Sequence, residues 1–160
     1  MSVIIKRLEG ELRAVRAGLP VGVLSLGPVG NGENLMKWEA TIAGPEGSPY
    51  EGGEFQLTID IPLTYPLNPP KVLFRTKVYH PNISSSGMIC LSTLKKDAKE
   101  GRWAPATKLP MLMIAIQSLL SDPNPDDPIV PSIGDQFKEQ RAEFDRIARK
   151  WTKYYATPSA

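Results

Sequence analysis

The sequence predicts an α+β fold, and three observations lead to it. A helical repeat of apolar residues stands near the N-terminus, four short strand-like runs follow it, and helical repeats close the chain. The connections 27–34 and 44–53 between the strand-like runs are rich in Gly and Pro and too short for crossover helices. We therefore expect an antiparallel meander of sequential strands with helices packed against it.

The individual elements follow from the apolar periodicity. Strand patterns predict strands over 23–26, 36–42, 55–61 and 71–75. Thr107 is expected to cap a central helix that spans 109–120, with Pro110 tolerated in its first turn. A long final helix is predicted over 137–155. The first helix is predicted to end before Gly18. It carries basic residues between its apolar positions, which are Ile5, Leu8, Leu12 and Val15.

Two segments lack a repeat. Residues 65–70 are rich in proline, which cannot join a sheet ladder, so we expect a stiff loop there. Residues 79–106 show no convincing period, and so long an irregular segment in a compact domain usually carries function.

The composition limits the classes of function. The 160 residues fit one domain, which we assign to 1–156 with a short tail at 157–160. A net charge of +2 gives no reason to expect a nucleic-acid or membrane partner. One cysteine and one histidine predict neither a disulfide nor a metal site, and no cofactor is expected. Without a recognisable secretory signal, we expect a cytoplasmic or nuclear monomer.

Cys90 is ambiguous when it is considered alone. A lone cysteine is more often a small packing residue than a nucleophile. The single histidine, His80, leaves a Cys/His thiol hydrolase open as an alternative, although the sequence does not place the two side chains together.

The surrounding motifs resemble the signature of ubiquitin-conjugating enzymes. The core of the resemblance is Tyr79, His80, Pro81, Asn82 and Ile83, followed by Gly87 and by Ile89, Cys90 and Leu91. Further matches occur in the family's order, at 44–45, 49–50, 65–70, 103–106 and 122–128. The resemblance covers nearly the whole chain and implies the UBC fold: an N-terminal helix, a four-stranded antiparallel meander, an active-site segment, a central helix and C-terminal helices.

By this resemblance, Cys90 accepts ubiquitin from an activating enzyme as a thioester and passes it to a substrate lysine, while ATP is used only upstream. Asn82 either stabilises the oxyanion or holds its loop through backbone hydrogen bonds. Asp127 matches the acidic residue that orients the attacking lysine. His80, Pro81 and Ser92 have structural roles at the site, and Ser92 stands where many relatives have aspartate.

The resemblance also implies partner surfaces. Contacts with the activating enzyme and a ligase are assigned to Lys6, Arg7, Leu67, Trp103, Pro105 and Ala106. Leu67 occupies a position where partners of HECT ligases often have phenylalanine, so a RING-type ligase is preferred. Donor ubiquitin is expected on Ile114, Ala115 and Ser118, and a second ubiquitin at Ser25. Lys95 begins a loop insertion over 95–102 and is a candidate for auto-modification.

Two alternatives remain open besides the thiol hydrolase. Another modifier such as SUMO would use the same catalytic residues, although the 123–128 run looks more ubiquitin-like. A non-catalytic adaptor of the ubiquitin pathway would make no use of Cys90.

Overall fold

The computed structural model describes residues 2–96 and 101–158. Four helices, four strands and one short 3-10 turn make up this part of the chain, and the predicted α+β class is confirmed. In chain order the elements are α1 (Ser2–Ala17), β1 (Val23–Pro28), β2 (Lys37–Ala43), β3 (Glu54–Asp60), β4 (Lys71–Phe74), the 3-10 turn (Ser92–Leu94), α2 (Leu109–Ser121), α3 (Pro131–Glu139) and α4 (Arg141–Tyr155).

The sheet is an antiparallel meander in the order β1-β2-β3-β4. β2 and β3 pair without a break from Ala43 opposite Glu54 to Lys37 opposite Asp60. Their alternating sequences place Trp38, Ala40 and Ile42 on one buried face. The other face remains accessible to solvent, so the helices cover only the buried face of the sheet.

The apolar stripe of α2 packs on the buried face of this sheet. Six of its side chains are buried: Leu109, Leu112, Met113, Ile116, Leu119 and Leu120. The Gln117 amide donates to the Ala43 carbonyl at the end of β2 over 2.9 Å, which ties α2 to the sheet. The central helix is therefore a fixed platform at the core.

The start of α2 differs from the prediction. Thr107 does not cap the helix, whose N-cap residue is Lys108 without a side-chain cap. The backbone N–H of Leu109 instead donates to Glu11 Oε1 over 2.6 Å. A carboxylate from α1 satisfies this amide and complements the positive end of the helix dipole, and local sequence signals do not reveal such a long-range partner.

The helical pattern predicted as one helix over 137–155 is interrupted. α3 and α4 meet at Gln140, whose backbone leaves the helical region. α4 packs through buried Phe144 and Ala148, and the Ala156 carbonyl accepts a hydrogen bond from Glu54 N over 2.9 Å. The end of the helical region is thereby fastened to β3. Within the described residues, no helix combines the length and apolarity that a membrane span requires.

Candidate active site

The segment that carries Cys90 is irregular but well connected. Isolated bridges pair His80 with Ile83 and Ile83 with Ile89. Cys90 N donates to the Asn82 carbonyl over 2.9 Å. Gly87 turns the chain at a φ of +89°, and its backbone lies so close to the Phe74 carbonyl that a Cβ would be 2.1 Å from that oxygen. The cysteine is thus held by backbone pairing to the asparagine eight residues before it.

His80 is a buried structural residue. Its Nε2 lies 2.8 Å from the Leu119 carbonyl oxygen, and its Nδ1 accepts from Asn82 N over 2.9 Å. These two bonds define a neutral ring with the proton on Nε2. Burial lowers the pKa of His80 to about 4, although the bond to the Leu119 carbonyl acts in the opposite direction. Because both ring nitrogens bind backbone groups, His80 does not form a nucleophile pair with the thiol.

Asn82 bridges its own segment to the acidic loop, residues 122–128. Its side chain is buried, and its Nδ2 donates to the carbonyls of Asn124 and Asp127 over 2.9 and 3.0 Å. Its Oδ1 accepts from Asn124 N over 2.8 Å. Both amide hydrogens therefore already have backbone acceptors in this structure.

The acidic loop is also held from Pro81. The carbonyl of this buried proline accepts from Ile129 N over 2.8 Å and from Val130 N over 3.1 Å. Together with the Asn82 amide, these bonds fix both ends of the stretch that carries Asp127. Asp127 is exposed, so its carboxylate is presented at the surface.

The Cys90 sulfur lies between the carboxylate of Asp127 and the ammonium group of Lys95. Sγ is 3.5 Å from Asp127 Oδ2 and 3.6 Å from Lys95 Nζ. Partial burial raises the pKa of the Cys90 thiol, with a further contribution from Asp127, while the Lys95 ammonium opposes the increase. Because its pKa is raised, the half-buried thiol is mainly protonated at neutral pH.

The sulfur opens onto a surface groove of about 510 Å³. Ser92 begins the 3-10 turn beside the cysteine, and its carbonyl accepts from Lys95 N and Arg102 N, which closes the base of the following loop. The groove is lined by Cys90, Leu91, Ser92, Lys95, Arg102, Leu119, Asn124, Asp126 and Asp127. Among residues 2–96 and 101–158, no group of three or more His, Cys, Asp or Glu side chains could hold a metal ion.

The residues assigned to ligase and activating-enzyme contacts lie on three connected segments. Arg7 Nη1 donates to the Pro105 carbonyl over 2.7 Å, and Trp103 Nε1 donates to the Pro66 carbonyl over 3.0 Å. These bonds join α1, the proline-rich loop and the loop after the cysteine. On this surface, Lys6, Leu67, Pro105 and Ala106 are exposed, whereas Arg7 and Trp103 are partly buried.

Arg7 is occupied by intramolecular contacts. Its Nε lies 3.0 Å from Glu11 Oε2, and its guanidinium lies over the Tyr65 ring at 5.2 Å from the centroid. Glu11 is fully buried and also accepts a hydrogen bond from the Tyr65 hydroxyl. Arg7 thus builds the surface rather than extending from it, and Glu11 is the centre of this network.

The sequence interpretation missed Glu11, although a signal was present. Ile4, Leu8 and Val15 are buried on one face of α1, and Glu11 falls on the same stripe between them. A carboxylate on a buried helix face requires donors from elsewhere in the fold. That position alone could have marked Glu11 as a structural hub.

The remaining predicted residues lie on two other faces. On α2, Ile114 and Ala115 are half-buried and Ser118 is exposed. Ser25 is exposed on β1 and lines a shallow polar groove on the accessible face of the sheet, together with Glu39, Ala40, Thr41, Gln56, Leu57, Thr58 and Arg75. Neither face lines the Cys90 groove, so three separate surfaces are available for partners.

This arrangement defines a class of protein. A four-stranded antiparallel meander followed by an irregular segment, a central helix and C-terminal helices matches the UBC fold. The family model described as "Ubiquitin-conjugating enzyme" matches residues 7–152. The chain belongs to the ubiquitin-conjugating (E2) enzyme family, which confirms the resemblance seen in the sequence.

A solved structure agrees with this assignment. The chain is similar to the E2 domain of a ubiquitin conjugating enzyme from Toxoplasma gondii, with a TM-score of 0.82 and 41% sequence identity. The alignment covers 94% of this chain and 97% of that chain. Fold and family therefore extend over nearly the full length of both chains.

Proposed function

We propose that Cys90 carries ubiquitin as a thioester and passes it to a lysine. The observation that carries this proposal is the position of the sulfur, half-buried at a surface groove with Asp127 Oδ2 and Lys95 Nζ within 3.6 Å. A sulfur sealed inside the core would be unreachable for a protein tail, whereas this one lines a groove on the surface.

The first step is a thioester exchange. The Cys90 sulfur attacks the carbonyl carbon of ubiquitin's activated C-terminus, and a new C–S bond forms. The C–S bond to the activating enzyme breaks, and the sulfur of that enzyme leaves as a thiolate with the electron pair and takes up a proton from solvent. The proton of Cys90 is released as its sulfur becomes the nucleophile, because the thiolate is the reactive form. The exchange replaces one thioester by another, so this enzyme consumes no ATP.

The second step is attack by a lysine amine. Asp127 Oδ2 is 3.5 Å from Sγ and is therefore in place to orient an incoming ammonium and to accept its proton. The amine forms an amide with the carbonyl carbon, the C–S bond breaks, and the Cys90 thiol is restored. Because a thiolate leaves more readily than an alkoxide, serine would be a poor replacement at this position.

For Asn82, the geometry favours a positioning role over a direct oxyanion role. Its two amide hydrogens are bonded to the Asn124 and Asp127 carbonyls, and one of them would have to be released before it could serve an oxyanion. We infer that Asn82 acts through the placement of Asp127.

A comparison of nucleophiles separates the two roles of Asn82. Hydroxylamine is a neutral nucleophile at pH 7 and needs no carboxylate to remove an ammonium proton. In Asn82→Ala, a positioning role predicts that discharge to lysine slows by about 100-fold, the lower end for loss of a catalytic group, while discharge to hydroxylamine changes little. Equal losses with both nucleophiles would support the oxyanion role instead.

The proposed partners are a ubiquitin-activating enzyme and a RING-type ligase. Leu67, Pro105 and Ala106 are exposed apolar residues on loops that the Arg7 and Trp103 hydrogen bonds connect, and exposed Lys6 lies on α1 beside Arg7. Leu67 lacks the aromatic ring that a phenylalanine would offer as an anchor at this position, which supports RING over HECT ligases. On the same basis, Ile114, Ala115 and Ser118 are proposed to receive the donor ubiquitin, and Ser25 a second, non-covalent one.

The charging reaction tests this function. The protein is mixed with activating enzyme, ATP and one modifier, and the products are separated on gels with and without reductant. With ubiquitin we expect an adduct that reductant removes, and no such adduct in Cys90→Ala. Cys90→Ser is the matched control, because its hydroxyl should give an adduct that resists thiol reductant but is removed by base.

Each other outcome identifies a different function. Charging with SUMO and not with ubiquitin would show that the modifier is SUMO. Absence of any adduct with active partner enzymes would favour an adaptor. Turnover of a small thioester without ATP or activating enzyme would favour a thiol hydrolase.

A further inference from the structure

The last turns of α4 expose a row of aromatic rings at the surface. Trp151 is half-buried and packs against Tyr79, with 5.2 Å between the ring centroids. Tyr155 packs edge-on against Trp151 at 5.5 Å, and Tyr154 packs against Tyr155 at 4.8 Å. Tyr154 is 79% exposed and Tyr155 is 41% exposed. The rings therefore extend from the half-buried Trp151 out into solvent.

These rings line a groove of about 330 Å³ on one side of α4. Exposed clusters of large apolar side chains are typical of binding surfaces, and Tyr and Trp are frequent among the residues that dominate binding energy. We define the α4 surface as the residues that line this groove, together with a lysine that reaches it from the segment after β4: Arg146, Ile147, Lys150, Trp151, Tyr154, Tyr155 and Lys77.

Two lysines place positive charge at the groove. Lys77 Nζ lies 5.3 Å from the centroid of the Tyr155 ring. Lys150 lies on α4 about one turn before Tyr154 and lines the groove directly. Both lysines are exposed, and among the described residues neither forms an ion pair. An anionic partner can therefore reach the charge of both.

The acidic residues of α4 are directed away from this groove. The helix carries five basic residues and two acidic ones, whereas the whole chain has a net charge of only +2. Glu143 is bound by Arg146 over 2.6 and 3.0 Å, and Asp145 lines a different groove. In the described part of the chain, two cations and no carboxylate line the α4 groove, while Asp126 and Asp127 line the Cys90 groove. Charge complementarity favours an acidic occupant.

We propose that the α4 surface binds an acidic peptide segment of a partner protein, with an apolar side chain inserted among the rings and carboxylates beside Lys77 and Lys150. The apolar side chain fits because the groove is concave and is walled by Trp151, Tyr154 and the aliphatic Ile147. This inference goes beyond the function proposed for Cys90, and binding at the α4 surface does not require the thioester.

Aromatic rings beside cations also occur on helices that bind anionic lipid, but two features favour the peptide. Such helices insert several protruding apolar side chains into the lipid layer. Of the three rings on α4, Tyr154 alone is more than half exposed, since Trp151 packs against Tyr79. The groove is also concave, which suits one inserted side chain better than a flat lipid surface.

A partner bound to the α4 surface would leave the Cys90 groove open. The two grooves have no lining residue in common. A bound segment therefore keeps its protein attached while Cys90 is charged and discharged, which raises the local concentration of an acceptor lysine. One face of one helix offers less area than a standard interface, so we expect micromolar rather than nanomolar affinity.

Fluorescence anisotropy with labelled peptides tests this binding on the full chain, without activating enzyme. The probe is a peptide of aspartates around one central phenylalanine. Comparison peptides replace the phenylalanine by alanine, the aspartates by asparagines, or the aspartates by lysines. We expect the probe to reach saturation and each comparison peptide to bind at least about tenfold more weakly. In about 1 M salt, where the screening length falls to about 3 Å, affinity for the probe should fall several-fold.

Exposed side chains provide variants that leave the core untouched. Tyr154→Ser removes the most exposed ring and Lys150→Glu reverses a charge, and each should weaken binding of the probe at least about tenfold. Val21→Ser and Lys108→Glu are the matched controls, because both residues are exposed and lie outside the α4 surface. Both controls should bind the probe as the unchanged protein does. Circular dichroism checks that all four variants are folded.

The outcomes distinguish this inference from the proposed function. Equal affinity for the acidic and asparagine peptides, undiminished binding in Tyr154→Ser and Lys150→Glu, or no binding of the probe overturns peptide recognition. Tighter binding to vesicles of anionic phospholipid than to the probe, lost in the same two variants, also overturns it and identifies a membrane surface instead. Ubiquitin charging of Cys90 is measured in parallel and should be unchanged in Tyr154→Ser. Absence of charging with intact probe binding refutes the proposed function and leaves the α4 surface standing.

Discussion

Acidification should weaken this fold through its single histidine. His80 is buried with its Nδ1 bound to Asn82 N and its Nε2 bound to the Leu119 carbonyl, so a proton on Nδ1 would break the first of these bonds. Its pKa falls from an ordinary 6.5 to about 4. Above pH 6.5 the ring is neutral in the folded and unfolded chains alike, and its protonation makes no difference to stability.

Between pH 6.5 and about 4, the unfolded chain binds a proton that the folded chain refuses, so stability is lost as pH falls through this window. Each unit of difference between the two pKa values corresponds to about 1.4 kcal/mol, so the stability lost approaches ~3 kcal/mol at pH 4. This is a large fraction of the 5–15 kcal/mol typical of a domain. Below pH 4 the contribution of His80 levels off, because both states are then protonated.

Two measurements check this prediction. Because the chain has one histidine, its imidazole signals in an NMR pH titration are unambiguous, and they should stay constant down to about pH 5. Urea unfolding from pH 7 to pH 4 should show a steeper loss of stability than in His80→Gln, which cannot titrate. A ring that titrates near pH 6.5, or an equal slope in the variant, would refute the reasoning.

Three further predictions concern other parts of the structure. Alkylation of Cys90, the only cysteine, should have its pH midpoint above the ordinary thiol value of 9.0, and Asp127→Asn should lower that midpoint; a midpoint below 9.0 contradicts the geometry. Glu11→Ala should lower the free energy of unfolding by about 3 kcal/mol or more, because buried donors lose their acceptor, whereas a loss under about 1 kcal/mol in urea unfolding would exclude that role. Gly87→Ala should cost at least about 2 kcal/mol and Gly47→Ala only about 1 kcal/mol, since both have positive φ but only Gly87 faces a backbone clash; equal shifts in thermal unfolding would count against this.

The strands could be predicted because their sequences alternate. In β2, Trp38, Ala40 and Ile42 are buried while Lys37 and Glu39 are exposed, which matches the period of two that the sequence displays. The α2 stripe follows the helical period in the same way. Such elements show their buried face locally, so the α+β class and the order of the meander could be inferred without coordinates.

The ends of the elements and the site contacts could not be inferred in this way. The start of α2 depends on Glu11, and the break between α3 and α4 falls at Gln140 inside a continuous helical pattern. Likewise, the approach of Lys95 to Cys90 depends on how the 3-10 turn folds back. Each is a contact between groups whose proximity arises only from the assembled fold, so no periodicity records it.

Several polar residues around the site are buried because their side chains satisfy backbone groups of neighbouring segments. An irregular segment cannot satisfy its backbone groups through a ladder, and buried groups left unpaired are costly. Here side chains replace the ladder: His80 takes the Asn82 amide, Asn82 takes two carbonyls and an amide of the acidic loop, and Glu11 takes the Leu109 amide. Because these bonds connect separate segments, removal of one side chain should displace groups at the sulfur before it unfolds the core. A site built in this way couples its reactivity to a few buried polar residues, so substitutions at His80 and Asn82 should alter transfer rates even though neither side chain is hydrogen-bonded to Sγ.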